Sequence, residues 1–356
     1  MVTGTAAHTS TDTVWADVVG QPAAVARLQR AVDHLVHAYL FVGPSGSTKK
    51  QAARAFAALA LTGVDDASRR DARLALAGEH PDVREVERAG ASITKDQARE
   101  IVRLSWLAPV EGNRKIMILD QFHLLQPEAA AVLLKTIEEP PPSTTFVILA
   151  DFVPSDLVTI ASRCARIEFR SIAHAAIVER LVAEGVASDA AHHAANAAGG
   201  DLERARVLAA DPELVARREM FAAVARQLDG TGSTVVRLVD ELTAAVDRAA
   251  APLAARHAAE IAALDERVAR HGERGSGKKT LDERHKRELR RHRADELRAG
   301  LAVLAASYRD LLVAGGDRRA ACADAVVRVH HAIEALERNP NEQLLLQALF
   351  WSLPVR

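Results

Sequence analysis

Cysteine is scarce in this chain of 356 residues: only Cys164 and Cys322 occur. Two thiols cannot make a disulfide framework, so a reducing, cytoplasmic setting is expected. They also exclude a structural zinc held by four cysteines. Neither sign of charge is in excess: 46 Lys and Arg face 47 Asp and Glu, a formal net charge of −1. A protein that coats nucleic acid by bulk attraction needs a clear positive surplus, so any DNA contact here must be local. Long apolar runs are absent too. No stretch reaches the roughly 18 residues of a membrane span. The polar start Met1–Thr13 has neither the basic beginning nor the apolar core of a signal peptide, so no such peptide is expected. What is present is apolar enough, at 49% hydrophobic, to build two or three domains.

Across the first ~170 residues, short apolar runs alternate with amphipathic stretches. Strands are predicted at Tyr39–Val42, Asp82–Val86, Lys115–Asp120, Thr145–Ala150 and Cys164–Phe169. Helices are predicted at Pro22–Asp33, Lys49–Leu61, Thr94–Ala108, Gln126–Ile137 and Ser155–Ala161, with Thr94 as an N-cap and Gly112 and Pro140 as stops. Such alternation indicates an α/β domain, a parallel sheet with helices on both faces. The division expected is an α/β domain over 1–171, a small helical domain over 172–211 and an all-α domain over 212–356. The last would carry a charged, flexible insertion near 268–282.

The first strand leads into Gly43-Pro44-Ser45-Gly46-Ser47-Thr48-Lys49-Lys50. A working phosphate loop reads G-x-x-x-x-G-K-[ST]; its amides cradle phosphate, its Lys reaches the terminal phosphates and its hydroxyl holds Mg²⁺. Gly43 and Lys49 stand in register, and Gly46 lies within the loop. Thr48, however, replaces the second glycine, where a β-branched residue resists positive φ. Lys50 replaces the metal-binding hydroxyl. A strand at 115–119 then ends in Asp120-Gln121: Asp120 has the place of a Mg²⁺ ligand, and Gln121 cannot act as a base. Three defects in one site predict an inactive ATPase. Further on, Ser162-Arg163-Cys164 puts an arginine where it could reach a γ-phosphate on a neighbouring subunit. Such an arginine can be worth about 10³–10⁵ in rate. The plainer reading is a surface Arg paired with a local carboxylate.

In order along the chain come Trp15-Ala16-Asp17-Val18-Val19-Gly20-Gln21, His37–Pro44, His80-Pro81-Asp82, Leu133-Leu134-Lys135-Thr136-Ile137-Glu138-Glu139-Pro140-Pro141 and Ser162-Arg163-Cys164. These resemble the clamp-loader group of AAA+ proteins, most nearly the delta-prime subunits of the bacterial DNA polymerase III clamp loader. The motif-bearing match spans about residues 12–206, and a weaker one continues into the helical C-terminal part. The resemblance implies an AAA+ module, a helical lid and an all-α collar. It implies a subunit without ATPase activity of its own, within the polymerase (nucleotidyltransferase) assembly that loads the sliding clamp onto primed DNA. Arg163, with Ser162 and Cys164, would be a finger acting in trans on ATP and Mg²⁺ held by a neighbour. Implied partners are the gamma/tau ATPases and the delta subunit, with the clamp and DNA reached through the complex and no membrane. Gly43, Gly46, Lys49, Asp120 and Arg204 would form a vestigial nucleotide site. Arg204 belongs to Asp201-Leu202-Glu203-Arg204-Ala205, which resembles the family's sensor-two helix, and a structural role competes there. Many members carry a four-cysteine zinc module after the phosphate-loop helix; the matching stretch, about 61–78, has no cysteine, so no zinc is expected. The alternative is an active AAA+ ATPase, gamma/tau-like or of the helicase-loader type.

The C-terminal half reads as almost wholly helical. Its charged run 252–298 is either a solvated hairpin or a basic face for DNA or a partner. Gly272–Thr280 fits a phosphate loop by pattern, but no buried strand precedes it, so a flexible loop is expected. The pairs His192-His193 and His330-His331 point to different sides of a helix and are expected at the surface. The tail 339–350 has apolar surface for packing in a collar.

Overall fold

The computed structural model of the chain describes residues 13–88, 92–271, 278–315, 318–336 and 340–355. The expectations for residues 1–12 and for the Gly-rich loop 272–277 lie outside the described residues. The chain divides into two compact units, one ending at Ala205 and the other starting at Arg206.

The first unit contains a parallel sheet of β1 (Ala38–Val42), β2 (Val83–Val86), β3 (Lys115–Leu119), β4 (Thr144–Ala150) and β5 (Ala165–Glu168), in the order β2-β3-β4-β1-β5. Strands β1, β3 and β4 are buried along their whole length, as expected of a parallel sheet covered on both faces. The alternation of strand side chains sorts the core into two. Tyr39, Phe41, Ile116, Ile118, Val147 and Leu149 pack with α1 (Pro22–Ala31), α2 (Lys49–Thr62) and α3 (Arg70–Ala77). Leu40, Val42, Met117, Leu119, Phe146 and Ile148 pack on the other face with α4 (Lys95–Ser105), α5 (Pro127–Glu138) and α6 (Val158–Ala161). Sequence periodicity did not disclose α3, whose two buried residues are alanines. Thr94 does cap α4, accepting the Gln97 N–H at 3.4 Å, but the helix ends at Ser105, short of Ala108.

Two motif residues turn out to be fasteners. Gln21 mimics a strand partner: its amide donates to Arg170 O at 2.7 Å, and its oxygen accepts the Arg170 N–H at 3.1 Å. Asp82 is fully buried and accepts backbone N–H groups from Val110, Glu111 and Gly112, the last two at 3.0 and 2.8 Å. The loop that joins α4 to β3 is therefore tied to the start of β2. Burial works against the Asp82 charge, but the three amides outweigh it and hold its pKa below the ordinary 3.8.

Three helices follow: α7 (His174–Ala183), α8 (Ser188–Ala198) and α9 (Leu202–Ala209). The turn between α8 and α9 uses Gly199 and Gly200 at φ of 63° and 90°, as the glycine pair suggested.

The second unit is helical. Its elements are α10 (Leu214–Gln227), α11 (Gly232–Arg248), α12 (Ala251–His271), α13 (Lys278–Ala314), α14 (Arg319–Ala335) and α15 (Glu342–Ser352). Residues 268–271 and 278–282, read from sequence as part of a flexible insertion, are helical here. The core gathers Phe221, Leu238, Leu242, Leu301, Leu304 and Tyr308 with Leu346, Leu349 and Phe350 of the apolar tail. Helix α13 comes close to α10 at Gly300, where a Cβ would lie 2.3 Å from the Phe221 ring. A buried cluster joins the same helices: Arg217 meets Asp211 at 2.6 Å and Glu296 at 2.7 Å. His192, His193, His330 and His331 are all exposed.

Asp82→Asn should cost about 2–4 kcal/mol, because one amide oxygen cannot serve three buried N–H donors. For a unit of this size that is a fall of roughly 5–15 °C in Tm, measured by calorimetry. The Asp82 contribution is present above its ordinary pKa and is lost as pH falls through the depressed folded value. The gap in Tm between wild type and variant should therefore close on acidification below about pH 4.

Candidate functional site

The carboxyl ends of β1, β3 and β4 carry the residues in question. The loop after β1 keeps the phosphate-binding shape without the expected glycine. Thr48 lies in the left-handed region at φ 61°, ψ 22°, a conformation that costs a β-branched residue about 1 kcal/mol or more. Its hydroxyl donates to Ser47 O at 2.7 Å. Gly43 has a packing reason of its own: a Cβ there would sit 2.3 Å from the Phe169 carbonyl just after β5. A Cβ on Gly46 would sit 2.0 Å from the Asp201 carboxylate. Leu202 N–H donates to Gly46 O at 3.3 Å, so α9 begins against the loop. Arg204 stands in the first turn of that helix, its backbone N–H on Asp201 Oδ1 at 2.9 Å.

Both lysines are engaged by their own chain. The Lys49 ammonium is buried; it donates to Gly43 O, to Pro44 O at 2.7 Å and to Asp151 Oδ1 at 3.0 Å. A lysine so held has no N–H directed at a terminal phosphate. The Lys50 ammonium lies 2.5 Å from Glu87, 3.5 Å from Glu85 and 3.8 Å from Asp120. Burial opposes its charge, but Glu87, Asp120 and Glu85 together raise its pKa above the ordinary 10.5. Asp120 is pushed up from 3.8 by burial, with Lys50 pulling the other way. An ammonium thus fills the position a divalent ion would need, so Mg²⁺ and its ATP do not fit these residues as arranged. Gln121, at φ 53°, accepts from Arg88 through Oε1.

Asp151 is the residue sequence reading missed. It follows β4, and besides Lys49 it meets His123, whose Nδ1 accepts the Asp151 N–H at 3.1 Å. Burial holds the His123 pKa below 6.5, so that imidazole is neutral at pH 7. A charged residue directly after a central parallel strand was the available signal.

Arg163 lies apart from these groups, between α6 and β5. It pairs with Glu138 through Nε at 3.1 Å and donates from Nη1 to Thr159 O at 2.9 Å. The Ser162 hydroxyl accepts from the same Nη1 at 3.4 Å. Cys164 is an inert thiol, its pKa pushed up to about 12 by burial.

One group could suggest a metal. Asp71, His80 and Glu111 have ligand atoms within 4.8 Å of one another. Yet His80 Nδ1 accepts the Asp82 N–H at 3.0 Å, which leaves the proton of the neutral ring on Nε2. Arg70 meanwhile occupies both oxygens of Glu111, at 2.7 and 3.2 Å, and reaches Asp71 at 3.0 Å. The trio is an ion-paired cluster, poorly suited to a cation.

Fold and site together define a parallel α/β module with a phosphate-loop-like turn whose charges are satisfied internally. A protein family described as DNA polymerase III, delta subunit, matches residues 20–173. Subunit tau of Bacillus subtilis DNA polymerase III is 38% identical over 173 residues, 46% of this chain and 30% of that protein. Subunit delta' of the same organism is 32% identical over 168 residues, 46% of this chain and 51% of its own length. Subunit gamma/tau of Mycobacterium tuberculosis is 31% identical over 251 residues, 67% of this chain and 43% of that protein. The chain thus spans about half or less of each of these relatives. Over its α/β unit the chain is similar to clamp-loader subunits of DNA polymerase III, as its motifs indicated. Relatives of both kinds, tau/gamma and delta', stand at similar identity.

Replacing Lys50 should uncover the acidic trio. Lys50→Ala should lower Tm in metal-free buffer, and millimolar Mg²⁺ or Mn²⁺ should then restore it while leaving wild type unchanged. An unchanged Tm in both buffers would show that the ammonium does not hold these carboxylates together.

Proposed function

We propose that this chain is a non-catalytic subunit of a DNA polymerase III clamp loader, of the delta-prime type. In this reading it assembles in the cytoplasm with the gamma/tau ATPases and a delta subunit. The assembly acts on the sliding clamp and primed DNA. The observation that carries the reading is the Lys50 ammonium among Glu85, Glu87 and Asp120, which takes the metal's place in the chain's own site. Gly43, Gly46, Lys49, Asp120 and Arg204 then serve the shape of a vestigial site. Arg163 supplies transition-state charge to ATP and Mg²⁺ bound by a neighbour, with Ser162 and Cys164 fixing its backbone. A gamma/tau-like ATPase is the second reading, favoured by the 38% identity to a tau subunit.

Turnover separates the two. The isolated chain should hydrolyse ATP no faster than background; Mg²⁺-dependent turnover abolished by Lys49→Ala would establish the second reading. In a reconstituted complex, Arg163→Ala should leave assembly intact and slow the site it serves by about 10³. Total ATPase should fall only in part, because other sites keep their own arginines. Arg163→Lys should rescue poorly, since an ammonium cannot reproduce the planar fork.

The reading also includes no zinc. Elemental analysis should return well under one zinc per chain, and a chelator should leave Tm unmoved. Stoichiometric zinc would direct attention to Asp71, His80 and Glu111.

A further inference from the structure

Helix α5 ends in the Glu-Glu-Pro-Pro run, 138–141. We infer that its Glu138 is a positioning residue for Arg163, helping from the Nε side to set the guanidinium plane so that Nη2 stays open to a neighbour's phosphate. The inference rests on the proposed role of Arg163. Three oxygens of the chain's own surround that side chain, one beside Nε and two at Nη1. Glu138 Oε1 is 3.1 Å from Nε, which is shut off from solvent and has no hydrogen-bond partner. Nη1 donates to Thr159 O and to Ser162 Oγ. Among the described residues nothing engages Nη2. Phosphate is gripped best by a guanidinium whose plane is already set, because less side-chain freedom is lost on contact.

The acid is itself held firmly. Ile137, just before it, is fully buried, and Ile160 of α6 lies in the same apolar cluster. Glu138 therefore projects from a packed helix end, while Pro140 and Pro141 prevent α5 from continuing past it. A carboxylate in the last turn of a helix is disfavoured by the helix dipole. Its place there is compensated by the guanidinium beside it. The pair is half open to water, with side chains 35% and 47% exposed. Its coupling should therefore be modest and should act through orientation.

The test uses the full chain in a reconstituted clamp loader whose other ATP sites have been inactivated. Steady-state ATPase would be measured for Glu138→Ala, Glu138→Gln, Arg163→Ala and the double variant. Glu138→Ala should lower kcat about 3- to 10-fold with KM for ATP unchanged, and Glu138→Gln, which keeps an acceptor oxygen, should fall less. The double variant should be no slower than Arg163→Ala alone, because Glu138 works only through that arginine. If Arg163→Ala slows the site while Glu138→Ala and Glu138→Gln do not, the positioning role is wrong and the role of Arg163 stands. An Arg163→Ala complex at wild-type rate would sink the reading beneath both. Additive losses in the double variant, or a faster Glu138→Ala, would also overturn the positioning role.

Discussion

Three carboxylates, Glu85, Glu87 and Asp120, converge at the carboxyl ends of β2 and β3, and the site depends on what neutralises them. Within a half-buried pocket they would repel one another and drive protons onto themselves. A nucleotide site answers this with a divalent ion that arrives with substrate. Here Lys50 supplies one charge, and Arg54, one turn later on α2, grips Glu85 with a second, Nη2 to Oε2 at 2.9 Å. Both cations come from the same helix that a phosphate loop would aim at its ligand. The counter-charge is built into the chain, so the pocket is complete without a visitor.

A second constraint keeps the loop in shape. Thr48 and Gln121 are the only non-glycine residues with positive φ among the described residues, and they flank the same cleft. Such strain persists only where the surroundings over-determine it. The surroundings are visible: Phe169 against Gly43, Asp201 against Gly46, and the Lys49 ammonium stitched to two loop carbonyls and Asp151. Packing does here what phosphate does in an active relative of the loop. That is why a sequence with the wrong residues at 48 and 50 retains the turn.

The α/β architecture was legible because the central strands β1, β3 and β4, buried on both faces, read as largely apolar runs; all five strands appear within a residue or so of their predicted bounds. The defects of the loop were legible as well, since each sits at a fixed offset from Gly43. Less visible were partners that chain folding alone brings together. Asp151 lies 102 residues from Lys49; its place directly after β4 marks it locally, but only folding brings it to the lysine. Helix α3 escaped notice because alanines make its buried stripe, and alanine carries little periodic contrast. Glu138 stood in plain view in the family motif, but its partner lies 25 positions on, across a turn of chain that spacing rules do not span.

The charged run of the C-terminal unit shows what a linear reading leaves open. Read linearly, 252–298 is either a solvated hairpin or a basic face for DNA or a partner. Folded, it contains Arg-His-x-x-Glu twice, at 256–260 and 284–288, on helices α12 and α13. His257 meets Glu288 at 2.7 Å and His285 meets Glu260 at 3.0 Å, while the two imidazoles stack 3.8 Å apart. Arg256 joins Glu288, and Arg284 joins Glu260. Each copy of the pattern therefore neutralises the other across the hairpin. Glu260 answers accordingly: burial would raise its pKa, but His285 and the two arginines bring it below 4.5. Much of this charge is spent inside the hairpin, as Lys50 is spent inside the cleft. In both units a run that resembles a binding surface in one dimension becomes internal cohesion in three.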